Sequence, residues 1–323
     1  MSDPSPLSIF GLEGKSAIVT SAGSGIGKAT TTLFTQVGAR VLFVDVDEGA
    51  VREAAETCHS PYAVCDISDE TQVTATFDKA QALFGGLHVL ANVAAYRRKA
   101  DTMTMPALEW DIMHAVTTRG TFLMMREAIK IMRVQGSGGS IVNVSSVSAD
   151  HPAIFNNTHY DSAKACVDAM TRAAAVEFAE HKIRVNSIQP GGTASGGAQR
   201  MGSEIQMRGP MTVPGRIPLN RISDPIEHAR AILFLASDAA SYITTNAPPT
   251  ARPCSSSSAI RVARPATSPC LIMPIRCSRN SGSGASRSWR SAHSRRSLCE
   301  RSRRGTTCPS MSRPTPTTAW RAR

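Results

Sequence analysis

The chain has 323 residues and a formal net charge of +11, but the positive charge is concentrated at one end. Residues 246–323 hold fifteen arginines, no lysine and one acid, Glu300, so this stretch carries +14 and residues 1–245 carry −3. The mildly acidic body argues against a nucleic-acid surface there. No apolar run approaches the roughly 20 residues that span a bilayer, which argues against an integral membrane protein.

The cysteines and the N-terminus indicate a cellular compartment. Only Cys58, Cys65 and Cys166 lie within residues 1–245, and neither they nor the eight histidines show a metal-ligand spacing. Unpaired cysteines of this kind are typical of reduced thiols in a cytosolic protein. The first residues lack the basic and apolar regions of a signal peptide. We therefore predict a cytoplasmic protein without a metal site.

The first predicted strand, residues 16–20, ends at a glycine-rich turn that leads into a helical pattern. In such a turn the glycines let the backbone approach a pyrophosphate, and the N-terminus of the helix offers unbonded N–H groups. The pattern therefore predicts a dinucleotide site rather than a mere tight turn. Its candidate residues are Ser21, Gly23, Ser24, Gly25, Ile26 and Gly27.

A second strand over residues 40–45 ends in Asp45, twenty residues after Gly25. An acid at this point can accept hydrogen bonds from the ribose diol of an adenosine, and it would repel a 2′-phosphate. The neighbouring positions Ser24 and Val46 offer no cation to such a phosphate. The sequence therefore favours NAD over NADP, although a merely solvated acid at a strand end would leave the specificity open.

Three further strands follow in the middle of the chain. Residues 62–65 and 87–91 are short apolar runs, and a helix to about residue 84 separates them. A long helix is predicted over residues 107–133. The fifth strand, in residues 139–146, delivers Ser145 and Ser146 at its carboxyl end, which is the edge where open parallel sheets bind ligands.

Tyr160 and Lys164 lie four residues apart at the start of the next predicted helix. Residues at this spacing share one face of a helix, so the ammonium group can favour the ionised phenol. A phenol with its ordinary pKa of about 10 is a poor base near neutrality, and a neighbouring cation makes it a usable one. Taken alone the pair could be a surface feature, but it follows a dinucleotide turn and a serine pair in chain order.

The last part of the body contains a sixth strand, residues 183–188, and a helix from Asp224 to about residue 236. Between them, residues 194–220 are rich in glycine and proline and predict a mobile lid or a plain connector. Their methionines suggest an apolar substrate. The alternation of strands and helices predicts a single α/β domain over residues 1–245, built on a doubly wound parallel sheet, the Rossmann fold.

From about residue 12 to residue 245 the chain resembles the short-chain dehydrogenase/reductase family. The family's cofactor turn Thr-Gly-x-x-x-Gly-x-Gly corresponds to Thr20–Gly27, its Asn-Asn-Ala-Gly to Asn92–Ala95, and its active-site Ser and Tyr-x-x-x-Lys fall on Ser146, Tyr160 and Lys164. The resemblance implies further cofactor contacts along the chain. These are expected at Asp66, Ile67, Asn92, Ala94, Pro190, Gly191 and Thr193.

The resemblance also implies an activity, namely hydride transfer between NAD(H) and a secondary alcohol or ketone. Tyr160 would be the general acid/base, Ser146 would hold the substrate oxygen, and Lys164 would lower the tyrosine pKa and bind the nicotinamide ribose. The implied partners are a small-molecule alcohol or ketone and further copies of the same chain in a homo-oligomer.

Three positions in the body depart from the family pattern. Thr117 stands where the family has an active-site asparagine that holds a water of a proton relay, so the relay is expected to be weakened. Ser21 replaces the first glycine of the turn, which is tolerable unless the position needs a positive φ. Ala95 replaces the last glycine of the fourth-strand motif. These changes leave open a catalytically impaired NAD-binding protein as the alternative function.

The C-terminal stretch, residues 246–323, does not match the family, which continues with a seventh strand. Its arginine bias is what GC-rich coding DNA read out of frame produces, so we hypothesise a disordered, frameshift-derived tail. Sequencing the source DNA is the test. The alternative is a genuine basic arm that binds a polyanion such as RNA, although aromatic partners for bases are nearly absent from it.

Overall fold

In the computed structural model, which describes residues 7–194 and 209–245, the chain forms a six-stranded parallel sheet with helices on both faces. The strands are β1 (Ser16–Thr20), β2 (Arg40–Asp45), β3 (Tyr62–Val64), β4 (Val89–Asn92), β5 (Gly139–Val144) and β6 (Ile183–Ile188). Their order is β3-β2-β1-β4-β5-β6. The order reverses between β1 and β4, where doubly wound sheets form their ligand crevice. The predicted fold class is confirmed.

Seven α-helices cover the sheet within the described residues. They are α1 (Gly25–Gln36), α2 (Glu48–Thr57), α3 (Glu70–Phe84), α4 (Ala107–His114), α5 (Thr121–Gln135), α6 (Thr158–Glu177) and α7 (Pro225–Ala236). The α1, α2 and α7 helices pack one face around Phe34, Val51 and Ile232. On the other face α3, α5 and α6 pack around Phe77, Met124 and Ala175. Because both faces are covered, the central strands are mostly apolar, and every residue of β1 is buried.

The helix predicted over residues 107–133 is interrupted. A π-helical segment, Ala115–Gly120, joins α4 to α5, and such π-bulges occur frequently at functional sites. Gly120 ends the segment where a Cβ would press within 2.7 Å of the Ile67 side chain. The predicted helix is present, but hydrophobic periodicity does not report its single turn of altered pitch.

The outer edge of β6 is partly covered by the last described residues. The Thr245 N–H donates to the Val185 carbonyl at 3.1 Å, and the Val185 N–H donates to Thr244 Oγ1 at 3.1 Å. The position of the family's seventh strand and the whole predicted tail, residues 246–323, lie outside the described residues. The domain boundary at residue 245 therefore stays a prediction.

Two further sequence features concern the described segments. Of the predicted lid, residues 195–208 lie outside the described part, while residues 209–220 form turns around a short 3-10 helix, Pro210–Thr212, and the Met211 N–H donates to the Ala153 carbonyl at 2.9 Å. No helix among residues 7–194 and 209–245 has the length and apolar character needed to cross a membrane.

Candidate active site

The turn between β1 and α1 has the backbone shape that a close phosphate approach requires. Gly25 adopts a φ of 55°, and a Cβ at Gly27 would overlap the Ser21 carbonyl group. At Gly23 a Cβ would come within 2.8 Å of the Ala50 side chain. The helix α1 begins at Gly25, and the N–H groups of its first turn have no intrahelical acceptors. The turn is therefore closely packed at Gly23 and Gly27, and what it offers a phosphate is the set of N–H groups at the start of α1.

Ser21 lies in the left-handed region, with a φ of 57°. Replacement of the family's glycine by serine is therefore costly here, because this position does have a positive φ. We expect Ser21→Gly to stabilise the protein by about 1 kcal/mol, because a non-glycine residue pays about that much for this conformation. In a domain of this size the gain corresponds to a rise in melting temperature of about 2–4 °C, which thermal unfolding of the two proteins measures.

Ser21→Ala is the matched control for that substitution. It removes the same hydroxyl but keeps a Cβ, so it leaves the conformational cost in place. A stabilisation by Ser21→Ala equal to that by Ser21→Gly would show that backbone strain is not the cause.

Asp45 lies at the end of β2, beside the glycine turn. Its Oδ2 accepts a hydrogen bond from the Gly23 N–H at 2.9 Å, and its Oδ1 accepts one from the Asp47 N–H at 3.2 Å. Each carboxylate oxygen has a second lone pair. The carboxylate is thus oriented by the turn and keeps acceptor capacity for a ligand in the crevice.

Hydrogen bonds from side chains hold the backbone of the residues that follow β3 and β4. Asp66 Oδ1 accepts from both the N–H and the hydroxyl of Ser68, at 2.9 and 2.7 Å, while the neighbouring Ile67 is buried. After β4, Thr20 Oγ1 accepts the N–H groups of Val93 and Ala94 at 2.9 and 3.0 Å. The end of β1 therefore fixes the backbone that follows β4, at the point where the strand order reverses.

Asn92 ends β4 in a fully enclosed position. Its Nδ2 donates to Asn143 Oδ1 on β5 at 2.9 Å, whereas its Oδ1 is buried without a hydrogen-bond partner among the described residues. An orphaned buried acceptor is costly. A ligand or a water molecule that donates a hydrogen bond to Asn92 Oδ1 would remove this cost.

Tyr160 and Lys164 lie on the first turns of α6, and both are buried, with 5% and 3% of their surface exposed. The Lys164 Nζ lies 5.8 Å from the centre of the Tyr160 ring and donates to the Val144 carbonyl, at the end of β5, at 2.6 Å. Tyr160 and Lys164 therefore lie on the same face of α6, as their spacing predicted. The carbonyl at the end of β5 fixes the ammonium group beneath the phenol.

The pKa values of this pair are set by burial and by each other's charge. Burial raises the pKa of Tyr160, but the charges of Lys164 and Arg97 and hydrogen bonds from Arg97 and Ser146 outweigh it, so the pKa lies below its ordinary value. Burial lowers the pKa of Lys164, and the Tyr160 charge opposes that fall. Ser146 follows β5 by two residues, at the predicted edge of the sheet, and its hydroxyl also accepts the Ser148 N–H at 3.1 Å.

Arg97 is the site residue that sequence reasoning missed. Its Nη1 donates to the Tyr160 hydroxyl at 2.6 Å, and its guanidinium carbon lies 4.5 Å from the centre of the Tyr160 ring. The available signal was three consecutive cations, Arg97, Arg98 and Lys99, directly after the fourth-strand motif. The carboxyl edge of a parallel sheet is where such a run can reach a ligand.

Thr117 is buried in the π-helical segment, and its hydroxyl contacts groups other than Lys164. Its Oγ1 accepts the Tyr96 N–H at 3.2 Å and lies 3.6 Å from Met113 Sδ. The hydroxyl thus supports the segment that carries Arg97. It makes no hydrogen bond to Lys164 within the part of the chain that the structure describes.

The turn after β6 lies beside the serine end of β5. The Pro190 carbonyl accepts the Val147 N–H at 3.1 Å. Thr193 Oγ1 donates to the Gly191 carbonyl at 3.3 Å and lies 3.0 Å from His228 Nε2 on α7. The predicted residues of this turn are therefore tied to the same edge of the sheet as Ser146.

Comparison with known proteins adds a family model and curated relatives. A family model described as enoyl-(acyl carrier protein) reductase matches residues 21–247. A 3-oxoacyl-[acyl-carrier-protein] reductase of Thermotoga maritima is 38% identical over 242 residues, which cover 72% of this chain and 94% of that protein. A cis-4-hydroxycyclohexanecarboxylate dehydrogenase of Sinomonas cyclohexanicum is 38% identical over 232 residues, covering 70% and 91% of the two chains.

Solved structures give the same fold. A 3-ketoacyl-(acyl-carrier-protein) reductase from Brucella melitensis, whose crystal structure is a complex with NADH, superposes with a TM-score of 0.66 at 31% sequence identity. The match covers 72% of this chain and 95% of that one. The similarity therefore extends over nearly the whole of that protein.

Proposed function

Because the chain belongs to the short-chain dehydrogenase/reductase family of oxidoreductases, we propose that it transfers a hydride between NAD(H) and a secondary alcohol or ketone. The observation that carries this proposal is the buried Tyr160–Lys164 pair, with the Tyr160 pKa below its ordinary value. A general base works best when its pKa lies near the working pH. A lowered phenol pKa is of use to a base and of no evident use to a scaffold.

The residues around the glycine turn fit a nicotinamide dinucleotide. The N–H groups at the start of α1, where Gly25 has a positive φ, suit a pyrophosphate, and the Asp45 carboxylate suits the adenosine ribose diol. Asn92 Oδ1 is an unpartnered acceptor near the strand-order reversal. When bound, the nicotinamide accepts or donates the hydride. NAD is favoured over NADP because Asp45 is acidic and the exposed Val46 beside it offers no cation to a 2′-phosphate.

In the proposed oxidation, Tyr160 takes the proton of the substrate alcohol while the hydride leaves the carbinol carbon. Ser146 donates to the substrate oxygen, and Lys164 keeps the Tyr160 pKa low from beneath. In the reverse direction Tyr160 returns the proton to the ketone oxygen. Ser21, Ser24, Gly25, Ile26, Asp66, Ile67, Ala94, Pro190, Gly191 and Thr193 are proposed to line the cofactor site.

The alternative is a catalytically impaired protein that binds NAD. Thr117 favours it, since its hydroxyl is occupied by the Tyr96 N–H and by Met113 rather than by Lys164. The buried Ser146, Tyr160 and Lys164 favour the enzyme.

The deciding experiment uses the purified full-length chain. NADH and NADPH are titrated by fluorescence, and oxidation of a panel of secondary alcohols is then followed by NADH absorbance. Micromolar NADH binding with turnover supports the enzyme. Binding without turnover moves the assignment to the impaired protein, and failure to bind NADH overturns both.

A further inference from the structure

The Arg97 guanidinium occupies the mouth of the proposed active site. Its Nη1 is bonded to the Tyr160 hydroxyl at 2.6 Å, while the residue as a whole is exposed. Arg97 therefore reaches from the solvent side onto the phenol oxygen at which a substrate hydroxyl would react. A guanidinium has five N–H donors in a fixed fork, so most of its donors remain for another ligand.

The backbone around Arg97 is held in place on both sides. The Tyr96 N–H donates to Thr117 Oγ1 at 3.2 Å, and the Ala100 N–H donates to the Asn156 carbonyl at 3.1 Å. The next residue, Arg98, is paired with the buried carboxylate of Glu109 at 3.1 Å. The segment that carries Arg97 is therefore held by the π-helical segment, by α4 and by the chain just before α6.

The charge at this mouth is not balanced. Among residues 7–194 and 209–245, no carboxylate lies within 4.0 Å of the guanidinium of Arg97 or the ammonium of Lys99. Burial and the Arg97 charge both lower the pKa of Lys99. Lys164 adds a third cation beneath the phenol. Asp161, whose charge interacts with that of Arg97, is also engaged by Asn157 Nδ2 at 2.6 Å.

Arg97 is poorly suited to the other roles that a polar residue could have here. A guanidinium does not lose its proton in proteins, so Arg97 cannot itself act as a general acid or base. It is well suited to an anion, because its planar fork matches a carboxylate with two parallel hydrogen bonds.

We propose that Arg97 binds the carboxylate of the substrate, so that the enzyme acts on short hydroxy acids and the corresponding oxo acids. This assignment rests on the proposed function and narrows its substrate class. Two hydrogen bonds that meet at the phenol oxygen hold the guanidinium about 5 Å from the reacting substrate oxygen. That separation suits a carboxylate on the carbon next to the carbinol, or one carbon further.

The proposed step balances with NAD as the oxidant. The hydroxyl proton of the acid passes to ionised Tyr160, the carbinol hydrogen leaves as hydride to NAD, and the products are the oxo acid and NADH. The carboxylate keeps its charge throughout and stays on Arg97. The sequence-based expectation of an apolar substrate came from methionines, of which only Met211 lies in the described part of that segment. That expectation concerns the rest of the substrate, not the carboxylate that Arg97 contacts.

The test compares matched acids and neutral esters in the full-length protein. We expect the wild type to oxidise 2-hydroxybutyrate or 3-hydroxybutyrate with a far higher kcat/KM than the methyl ester. Loss of Arg97 also raises the Tyr160 pKa, so the two enzymes are compared on the high-pH plateau of kcat/KM, where the phenol is ionised in both. There Arg97→Met should lower kcat/KM for the acid about 100-fold, mainly through KM, and that for the ester by less than about threefold, because a charge-assisted pair is lost only with the acid. Arg133→Met, at the exposed end of α5, removes the same charge far from Tyr160. It should change kcat/KM for neither the acid nor the ester.

Two outcomes would overturn the assignment while leaving the proposed function intact. One is a wild type that oxidises neutral secondary alcohols as well as it does the acids. The other is an Arg97→Met enzyme whose plateau kcat/KM falls no further for the acid than for the ester, which would leave Arg97 only as a group that lowers the Tyr160 pKa beside Lys164 and Ser146.

A binding measurement decides the case even if none of these compounds is turned over. Butyrate and butyramide are titrated by calorimetry into the NADH complexes of the wild type and Arg97→Met. Butyrate binding that the substitution abolishes, with butyramide unaffected, supports the assignment. Absence of butyrate binding to the wild type overturns it, whereas absence of turnover with every alcohol contradicts the proposed function itself.

Discussion

Replacing Tyr160 by phenylalanine is expected to lower kcat for NAD-dependent alcohol oxidation by about 10³-fold, because general base catalysis contributes roughly that much. The substitution deletes one oxygen from a side chain that is 5% exposed and leaves the ring that packs beside Met113 and Ala163. NADH affinity should therefore change by less than about threefold. Steady-state kinetics and NADH fluorescence titration on the same preparations measure both quantities.

The pH dependence gives this prediction a second readout. Oxidation needs the ionised phenol, so wild-type kcat/KM should rise with pH and level off above the Tyr160 pKa. Burial alone would push that pKa upward, but Lys164 and Arg97 carry positive charge beside the phenol and bring it below its ordinary value. The rise should therefore be centred below the pKa of about 10 of a free phenol.

Tyr62→Phe is the matched control for Tyr160→Phe. Tyr62 begins β3 at the far edge of the sheet, and its ring faces the ammonium of Lys79, 5.8 Å from the ring centre. It should leave kcat unchanged. A Tyr160→Phe protein that keeps more than about a tenth of wild-type kcat would remove the tyrosine from the role of general base.

The fold was largely accessible from sequence because its signals are local and repeated. Most strands are short apolar runs bounded by glycine or polar residues, and β6, in which apolar and polar residues are mixed, was predicted with the bounds that the structure has, Ile183–Ile188. The π-helical segment was not accessible, since the residues on either side of it continue one hydrophobic pattern. Its position follows instead from packing, where Gly120 meets Ile67.

The site was predictable where a motif fixes the distance between two side chains along one element. Tyr160 and Lys164 are such a pair, and their helix spacing brings them together. Arg97 was missed because its contact with Tyr160 joins residues 63 positions apart in the chain. The sequence does not show that the segment after β4 contacts Tyr160 on α6. That placement depends on contacts of the residues next to Arg97 with Thr117 and Glu109.

The cofactor preference should invert when the charge at the end of β2 is changed. We expect Asp45→Asn combined with Val46→Arg to weaken NADH binding and to strengthen NADPH binding, with an overall change of about 10³ in the ratio of dissociation constants. Hydrogen bonds to a charged group contribute about 1.5–3 kcal/mol each, and one is lost from the ribose diol while one is gained by the 2′-phosphate. Paired fluorescence titrations with NADH and NADPH measure the ratio.

The choice of asparagine separates charge from structure at this position. Its side-chain oxygen can still accept the Gly23 N–H, which the Asp45 carboxylate accepts at 2.9 Å, so the glycine turn keeps its support while the negative charge is removed. Asp47→Asn is the matched control. Asp47 lies two residues further and accepts the Ala50 N–H as the cap of α2, so its charge can be removed without touching the ribose position. If Asp47→Asn moved the NADH to NADPH ratio as far as the double variant does, general electrostatics rather than contact with Asp45 would set the preference.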